Sequence, residues 1–335
     1  MRKAWRRGGR GWWLGAVLGL LGVGFFATVL WSRRRGFSLA ELEDDFSPAQ
    51  PSGPQPAGGE AGANVSRAES AADTAVWIAG PSGNLFVRDG GAGEGLPVLF
   101  VHSLGGNGGQ WALQLDHLRR GRRAAALDLR GHGDSDPADD GDYSIEALAG
   151  DVAAVADQLA LRRFVLAGHS LGGSVALEYA GRHGERVAGL LLVDPNGDQS
   201  GVPKKQAAAF VKTVAAAPLA EMEWHFRQIL VNGDPAASRW VLEDLRLTDE
   251  AAILGAIESS FHHRPLPALA RYGGPKLSVV SDVNNLPISL HSLAPDLPAR
   301  LIPGTGHWLQ MDRPEVFNRI LDEFLAEAEG APRGG

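Results

Sequence analysis

One pentapeptide restricts this chain more than any other feature: Gly168-His169-Ser170-Leu171-Gly172. It directly follows Phe164–Ala167, a short apolar run that reads as a strand, and it opens the helical pattern Leu171–Arg182. Glycines two residues to either side of a serine allow a tight, strained strand-to-helix turn that pushes the hydroxyl outward. The amide of Leu171 and the helix N-terminus then face any negative charge that develops beside that hydroxyl. A strand that runs straight into a helix predicts a largely parallel sheet with helical crossovers.

The chain from about residue 75 repeats this alternation. The other strand candidates are Val76–Ile78, Leu85–Arg88, Val98–His102, Ala124–Leu127, Val187–Val193, Leu277–Val280 and Ala299–Ile302. Leu190–Val193 is continuously apolar, as suits a strand buried on both faces. Helical patterns cover Trp111–Leu118, Ile145–Leu159 and Glu315–Ala328; in the last, Val316, Ile320, Phe324 and Leu325 share a face. A long insertion after the sixth strand breaks the rhythm with Gln206–Val214, Leu219–Val231, Ser238–Leu245 and Glu250–Ser260. It predicts a helical cap, about residues 198–272, over the strand ends. The chain has 335 residues, 44% of them hydrophobic, enough for a sizeable core. No internal repeat is present, which argues against solenoids and propellers.

The N-terminal part reads differently. Gly11–Trp31 holds no charge, and 21 helical residues at ~1.5 Å each span ~30 Å, the thickness of a bilayer core. Trp12, Trp13 and Trp31 sit where interfacial aromatics belong. The run is longer than a signal-peptide core, and no small-x-small site follows before Arg33, so residues 1–35 predict an uncleaved transmembrane anchor. Arg2, Lys3, Arg6, Arg7 and Arg10 precede the span, while Arg33, Arg34 and Arg35 follow it. That bias places the N-terminus in the cytoplasm and the globular body on the outer, periplasmic or extracellular, side. Residues 36–74 read as a disordered tether, with Ser47–Gly62 dominated by Pro, Gly, Ala and Gln.

Charge and composition narrow the chemistry. With those eight of 32 basic residues set aside, 24 face 39 acidic ones, and so acidic a body argues against nucleic acid as a partner. There is no cysteine, which excludes a disulfide scaffold, a thiolate metal site and a cysteine nucleophile. His262-His263 lie outside any H-e-x-x-h frame, and no glycine-rich phosphate loop with lysine occurs, so no metal or nucleotide is expected.

Further segments fall in order around the pentapeptide. They are Val98-Leu99-Phe100-Val101-His102-Ser103-Leu104-Gly105-Gly106, Trp111, Asp128-Leu129-Arg130-Gly131-His132-Gly133-Asp134-Ser135 and Pro303-Gly304-Thr305-Gly306-His307. From about Val98 to Leu325 the chain thereby resembles the α/β-hydrolase fold family, in its serine esterase, lactonase and peroxidase-like branch. The resemblance implies a mostly parallel central sheet flanked by helices, spanning residues 75–335 with the cap. It also implies a serine hydrolase that cleaves a small or medium carboxylic ester or lactone through an acyl-enzyme, with no cofactor. The resemblance does not cover the anchor or the tether, which add the expectation that the enzyme is membrane-tethered. By the same resemblance Ser170 is the nucleophile and His307 its general base, and the amides of Leu104 and Leu171 form the oxyanion hole. Ser103 stands where relatives usually carry glycine. The Asp128–Ser135 segment reads as a structural turn, with His132 packed or capping.

The triad's acid stays open between two residues. The family usually places it after the strand read as Leu277–Val280, where ungapped comparison falls on Asn284; Asp282 lies two residues nearer the strand. The other placement known in the fold is one strand earlier and falls on Asp194, which is favoured, with Asp282 the alternative. Serine at 170 argues against haloalkane dehalogenases and epoxide hydrolases, whose nucleophile there is aspartate. Two rivals persist: an acyltransferase or perhydrolase using the same triad, and a tethered, non-catalytic binding protein with a degraded one. Trp224, Phe226, Trp240 and Phe261 in the insertion fit an apolar acyl pocket or ordinary packing equally.

Overall fold

A computed structural model of the protein describes residues 74–331. Its centre is an eight-stranded sheet. The strands are β1 (Thr74–Ala79), β2 (Asn84–Gly90), β3 (Val98–Val101), β4 (Ala124–Leu127), β5 (Phe164–His169), β6 (Val187–Val193), β7 (Lys276–Ser281) and β8 (Ala299–Ile302). They lie in the order β1-β2-β4-β3-β5-β6-β7-β8. β1 pairs antiparallel with β2 and β2 antiparallel with β4, while every other pair is parallel. The parallel strands therefore finish on one side of the sheet, and the loops leaving β3, β5, β6 and β8 meet there.

The apolar runs explain the layering. β3, β4 and β6 are buried along their whole length, as strands covered on both faces must be. Along β3 the side chains alternate: Leu99 and Val101 enter one core, Val98 and Phe100 the other. The first core is closed by α2 (Ile145–Gln158) and α3 (Leu171–Arg182), the second by α1 (Ala112–Leu118) and α11 (Pro314–Gly330). Removing a side chain such as Phe100 costs about 3–5 kcal/mol by cavity formation, so each core is stiff enough to fix the strand ends.

Between β6 and β7 come five helices: α4 (Lys204–Ala216), α5 (Pro218–Ile229), α6 (Pro235–Arg246), α7 (Glu250–Ser260) and α8 (Pro265–Arg271). Asp234 and Asp249 cap α6 and α7, each accepting two backbone N–H groups of the first turn. Sequence pattern reveals α4 to α7 but not α8, whose seven residues include Pro265 and Pro267. Single-turn helices α9 (Leu290–Leu293) and α10 (Leu309–Asp312) also escape it, being too short to show a period.

One expectation is corrected. The anchor of residues 1–35, with its span 11–31, and the tether 36–74 lie outside the described residues, except Thr74, which opens β1. Among the described residues no helix is long and apolar enough to cross a membrane. Even α11, with 17 residues, carries one apolar stripe against Glu315, Arg319, Asp322, Glu323, Glu327 and Glu329. The single-pass membrane placement, with a cytoplasmic N-terminus and an outer globular domain, does not stand. It extended the hydropathy of one segment to the whole protein, and the described residues supply no span.

Candidate active site

The pentapeptide forms the turn its glycines allow. Ser170 adopts φ 54° and ψ −113°, a left-handed conformation that costs a non-glycine residue about 1–3 kcal/mol. A Cβ at 168 would lie 2.1 Å from the Gly172 carbonyl oxygen, and one at 172 would lie 2.4 Å from that of His102, so only glycine fits either place. The turn is pinned by the Ser170 N–H, which donates to the Val193 carbonyl at 2.9 Å. From Phe164 to Ala180 every residue is buried except Ser170. Its hydroxyl is thus presented from an otherwise closed segment.

At the end of β6, Asp194 also turns left-handed, at φ 42°, and is fully buried. Its Oδ1 accepts the Ser281 N–H at 2.7 Å, and its Oδ2 accepts the Ser281 hydroxyl and the His307 ring at Nδ1, the latter at 2.9 Å. Three donors offset the cost of burying the carboxylate. Because the carboxylate only accepts, Nδ1 carries the ring proton, and Nε2 of the neutral imidazole is left as an acceptor. The His307 backbone is held as well: its N–H donates to the Ile229 carbonyl, and its own carbonyl accepts from His169 Nε2, both at 2.9 Å.

The structure brings Asp194 and His307 together and keeps Asp282 apart. Asp282 is exposed and accepts the Gly304 N–H at 2.7 Å, tying two loops. Asn284 donates through Nδ2 to the Pro195 carbonyl at 3.1 Å and accepts from the Ser289 hydroxyl. It fastens its loop beside Asp194 without touching the ring.

After β3, Ser103 to Gly106 makes a turn closed by the Gly106 N–H on the Ser103 carbonyl at 3.1 Å. Gly105 sits at φ 68°, and a Cβ there would strike Leu245 of α6 at 2.7 Å. This turn carries Leu104, half-buried, while Leu171 is buried at the start of α3. The Ser103 hydroxyl is buried and donates to the Leu104 carbonyl at 3.3 Å.

Sequence reasoning missed three residues. His102 accepts the Leu129 N–H on Nε2 at 3.0 Å, so its Nδ1–H donates to the Ser103 carbonyl at 2.7 Å. His169 donates to His307, as above, and its Nδ1 faces Gln310 Nε2 at 3.4 Å. Gln110 receives the Trp308 indole N–H at 3.1 Å and donates to Asp244 of α6 at 3.1 Å. The available signal was that polar residues adjoin both motifs at positions where a buried strand end offers them no water. Of the insertion aromatics, Phe226 packs on Trp308 with ring centroids 5.0 Å apart, Trp240 lies against Gly109, and Phe261 meets Phe210.

Burial also sets the charge of these rings. It lowers the pKa of His102 and of His169 well below the ordinary value, with His132 and His307 respectively adding to the effect. His132 is pushed down to about 4 by burial, and His225 to about 4 by burial with His307 beside it. Depressed histidines are neutral in both states above the unfolded value of 6.5. Below it the unfolded chain binds protons first, so stability falls from 6.5 toward 4, by about 1.4 kcal/mol per pH unit for each ring. Urea midpoints are expected to drop steeply between pH 7 and pH 5, and His132→Gln should remove about one proton from that slope. Equal midpoints at the two pH values would show that the rings take up protons in the native protein as readily as in the unfolded chain.

A family model described as "alpha/beta hydrolase fold" matches residues 97–314. The dihydrolipoyllysine-residue acetyltransferase component of the acetoin cleaving system of Pseudomonas putida is 34% identical over 254 residues, covering 70% of this chain. The match spans 65% of that relative's length. A thermophilic esterase from Thermogutta terrifontis superimposes with a TM-score of 0.65 at 24% identity, over 76% of this chain and 99% of that one. Est816, described as an N-acyl homoserine lactone degrading enzyme, gives 0.64 at 24% identity, over 74% and 100%. At these identities the two structures are evidence for the fold. Together with the sheet order and the strained turn after β5, the family match establishes that this chain belongs to the α/β-hydrolase fold family.

Proposed function

We propose that the protein is a serine hydrolase that cleaves a small or medium carboxylic ester or lactone through an acyl-enzyme on Ser170. One observation carries this reading: the His307 ring is held by buried Asp194 in the tautomer that leaves Nε2 free to accept a proton. In this scheme Ser170 Oγ attacks the acyl carbon and its proton passes to His307 Nε2. Asp194 stabilises the imidazolium, and the amides of Leu104 and Leu171 receive the oxyanion. As the C–O bond breaks, the proton goes from His307 to the leaving alkoxide. A water then gives its proton to His307 and its oxygen to the acyl carbon, and Ser170 recovers its proton as the acid leaves. The scheme asks for no cofactor or metal. The insertion, about residues 198–272, serves as a cap whose α5 and α6 bring Phe226 and Leu245 over the Leu104 turn.

A second reading changes only the acceptor. The Pseudomonas putida relative is described as an acetyltransferase, which supports asking whether an alcohol or peroxide replaces water. The triad-bearing protein should label with a fluorophosphonate on Ser170 and turn over p-nitrophenyl esters. Product partition between water and added alcohol or peroxide then separates hydrolase from acyltransferase or perhydrolase. Absence of both label and turnover would leave the non-catalytic binding protein.

A further inference from the structure

We propose that Asp312 is a positioning residue for His307, the link through which the cap holds the catalytic ring in register with Ser170. The inference rests on the reading of His307 as general base. Asp312 ends α10, five residues past His307, where Arg313-Pro314 stops the helix and starts α11. Its carboxylate reaches back in two directions. Oδ2 accepts the N–H of Gly306, the residue before His307, at 2.8 Å. Oδ1 accepts the N–H of Asp234, the N-cap of α6, also at 2.8 Å.

The neighbouring contacts point the same way. Ile229, at the end of α5, accepts the His307 N–H, and a Cβ added to Gly306 would lie 3.1 Å from the carbonyl oxygens of Ile229 and Val231. The segment 229–234 therefore lies directly on the Gly306-His307 peptide, and Asp312 is the side chain that fastens one to the other. A carboxylate suits this place because both partners are donors. Asparagine offers a single acceptor oxygen, so its NH2 would face one of the two N–H groups. Burial raises the Asp312 carboxyl, and the same two amides draw it back down.

Loosening this link shifts the ring relative to both Ser170 and Asp194, and small displacements of a proton-transferring group are costly. In Asp312→Asn, kcat per reactive serine should fall roughly 10- to 100-fold, with KM nearly constant. The acid limb of the kcat/KM profile should move to lower pH as the Asp194 contact weakens. His307 is faced by Asp194 just after β6, His169 on β5 and His225 on α5, none of which is altered. Asp312→Glu keeps the charge but displaces the acceptors by one carbon, so it should lose activity in the same direction and by less. Asp322→Asn on α11 removes a charge from the exposed pair with His117 of α1 and should change nothing.

The test uses the full chain, with p-nitrophenyl ester kinetics across pH normalised to serine titrated by a fluorophosphonate. Normalisation removes any unfolded fraction, so a residue that only stabilised the fold would leave kcat per titrated serine and the acid limb untouched. That result in either folded variant overturns the proposal, and if Asp312→Asn does not fold, Asp312→Glu decides alone. A wild-type protein that neither labels nor hydrolyses would instead refute the Ser170–His307 reading and take this proposal with it.

Discussion

Ser170→Ala is expected to lower ester turnover by on the order of 10⁴-fold or more, the loss met when a triad nucleophile is removed and only binding and the oxyanion hole remain. The size follows from the division of labour proposed for the site. Without Oγ there is no acyl-enzyme, and His307 can at best direct a water at a carbonyl that was positioned for a different attacker. Nothing else in the site needs to change. The turn is pinned by backbone groups, namely the Ser170 N–H on Val193 and the Gly173 N–H on the Ser170 carbonyl, and the alanine keeps both. Alanine is somewhat less comfortable than serine at φ 54°, so the thermal midpoint must be measured beside the rate. Fluorophosphonate labelling should disappear with the activity. A folded variant that hydrolyses the ester at the wild-type rate would sink the serine mechanism.

The elbow was legible because it is local. Its glycines, its serine and the strand and helix on either side lie within about twenty residues, and each obeys a short-range steric or periodic rule. The same holds for β3, β4 and β6, whose unbroken apolar runs announce burial on both faces. The acid proposed for the triad was not local. Asp194 and Asp282 both follow strands that end on the same side of the sheet, and only the folded chain shows that the first meets the ring while the second holds Gly304. His169 and His307 illustrate the same limit, being hydrogen-bonded partners 138 residues apart. No periodicity encodes such a pairing. Asp312 went unread for the opposite reason: it lies close to His307 in sequence, but its role depends on the N-cap of α6, which reaches it only through the insertion. The hydropathy of residues 11–31, a strong local signal, was carried too far when it was taken to locate the whole protein.

Asp194→Asn is expected to approach a 10⁴-fold loss in kcat, the magnitude seen when a triad carboxylate becomes an amide. Asparagine tolerates left-handed backbone nearly as well as aspartate, so φ 42° is no obstacle to folding. The amide must still answer three donors: the Ser281 N–H, the Ser281 hydroxyl and His307 Nδ1–H. Its single oxygen satisfies the Ser281 N–H, which leaves NH2 toward the ring. The imidazole then does best by turning Nδ1 into the acceptor, which moves the proton to Nε2, where it blocks the transfer from Ser170. The charge that favoured the imidazolium is gone as well. Asp282→Asn should cost only about 2-fold, because its carboxylate is exposed, its field is screened, and asparagine can still accept the Gly304 N–H. Both variants need matching circular dichroism spectra before their rates are compared. A large loss from Asp282→Asn beside near-normal Asp194→Asn would reverse the assignment of the acid. Small losses in both would mean that the Ser170–His307 pair works without a carboxylate, and that the buried contact at 2.9 Å orients the ring but contributes little to the imidazolium.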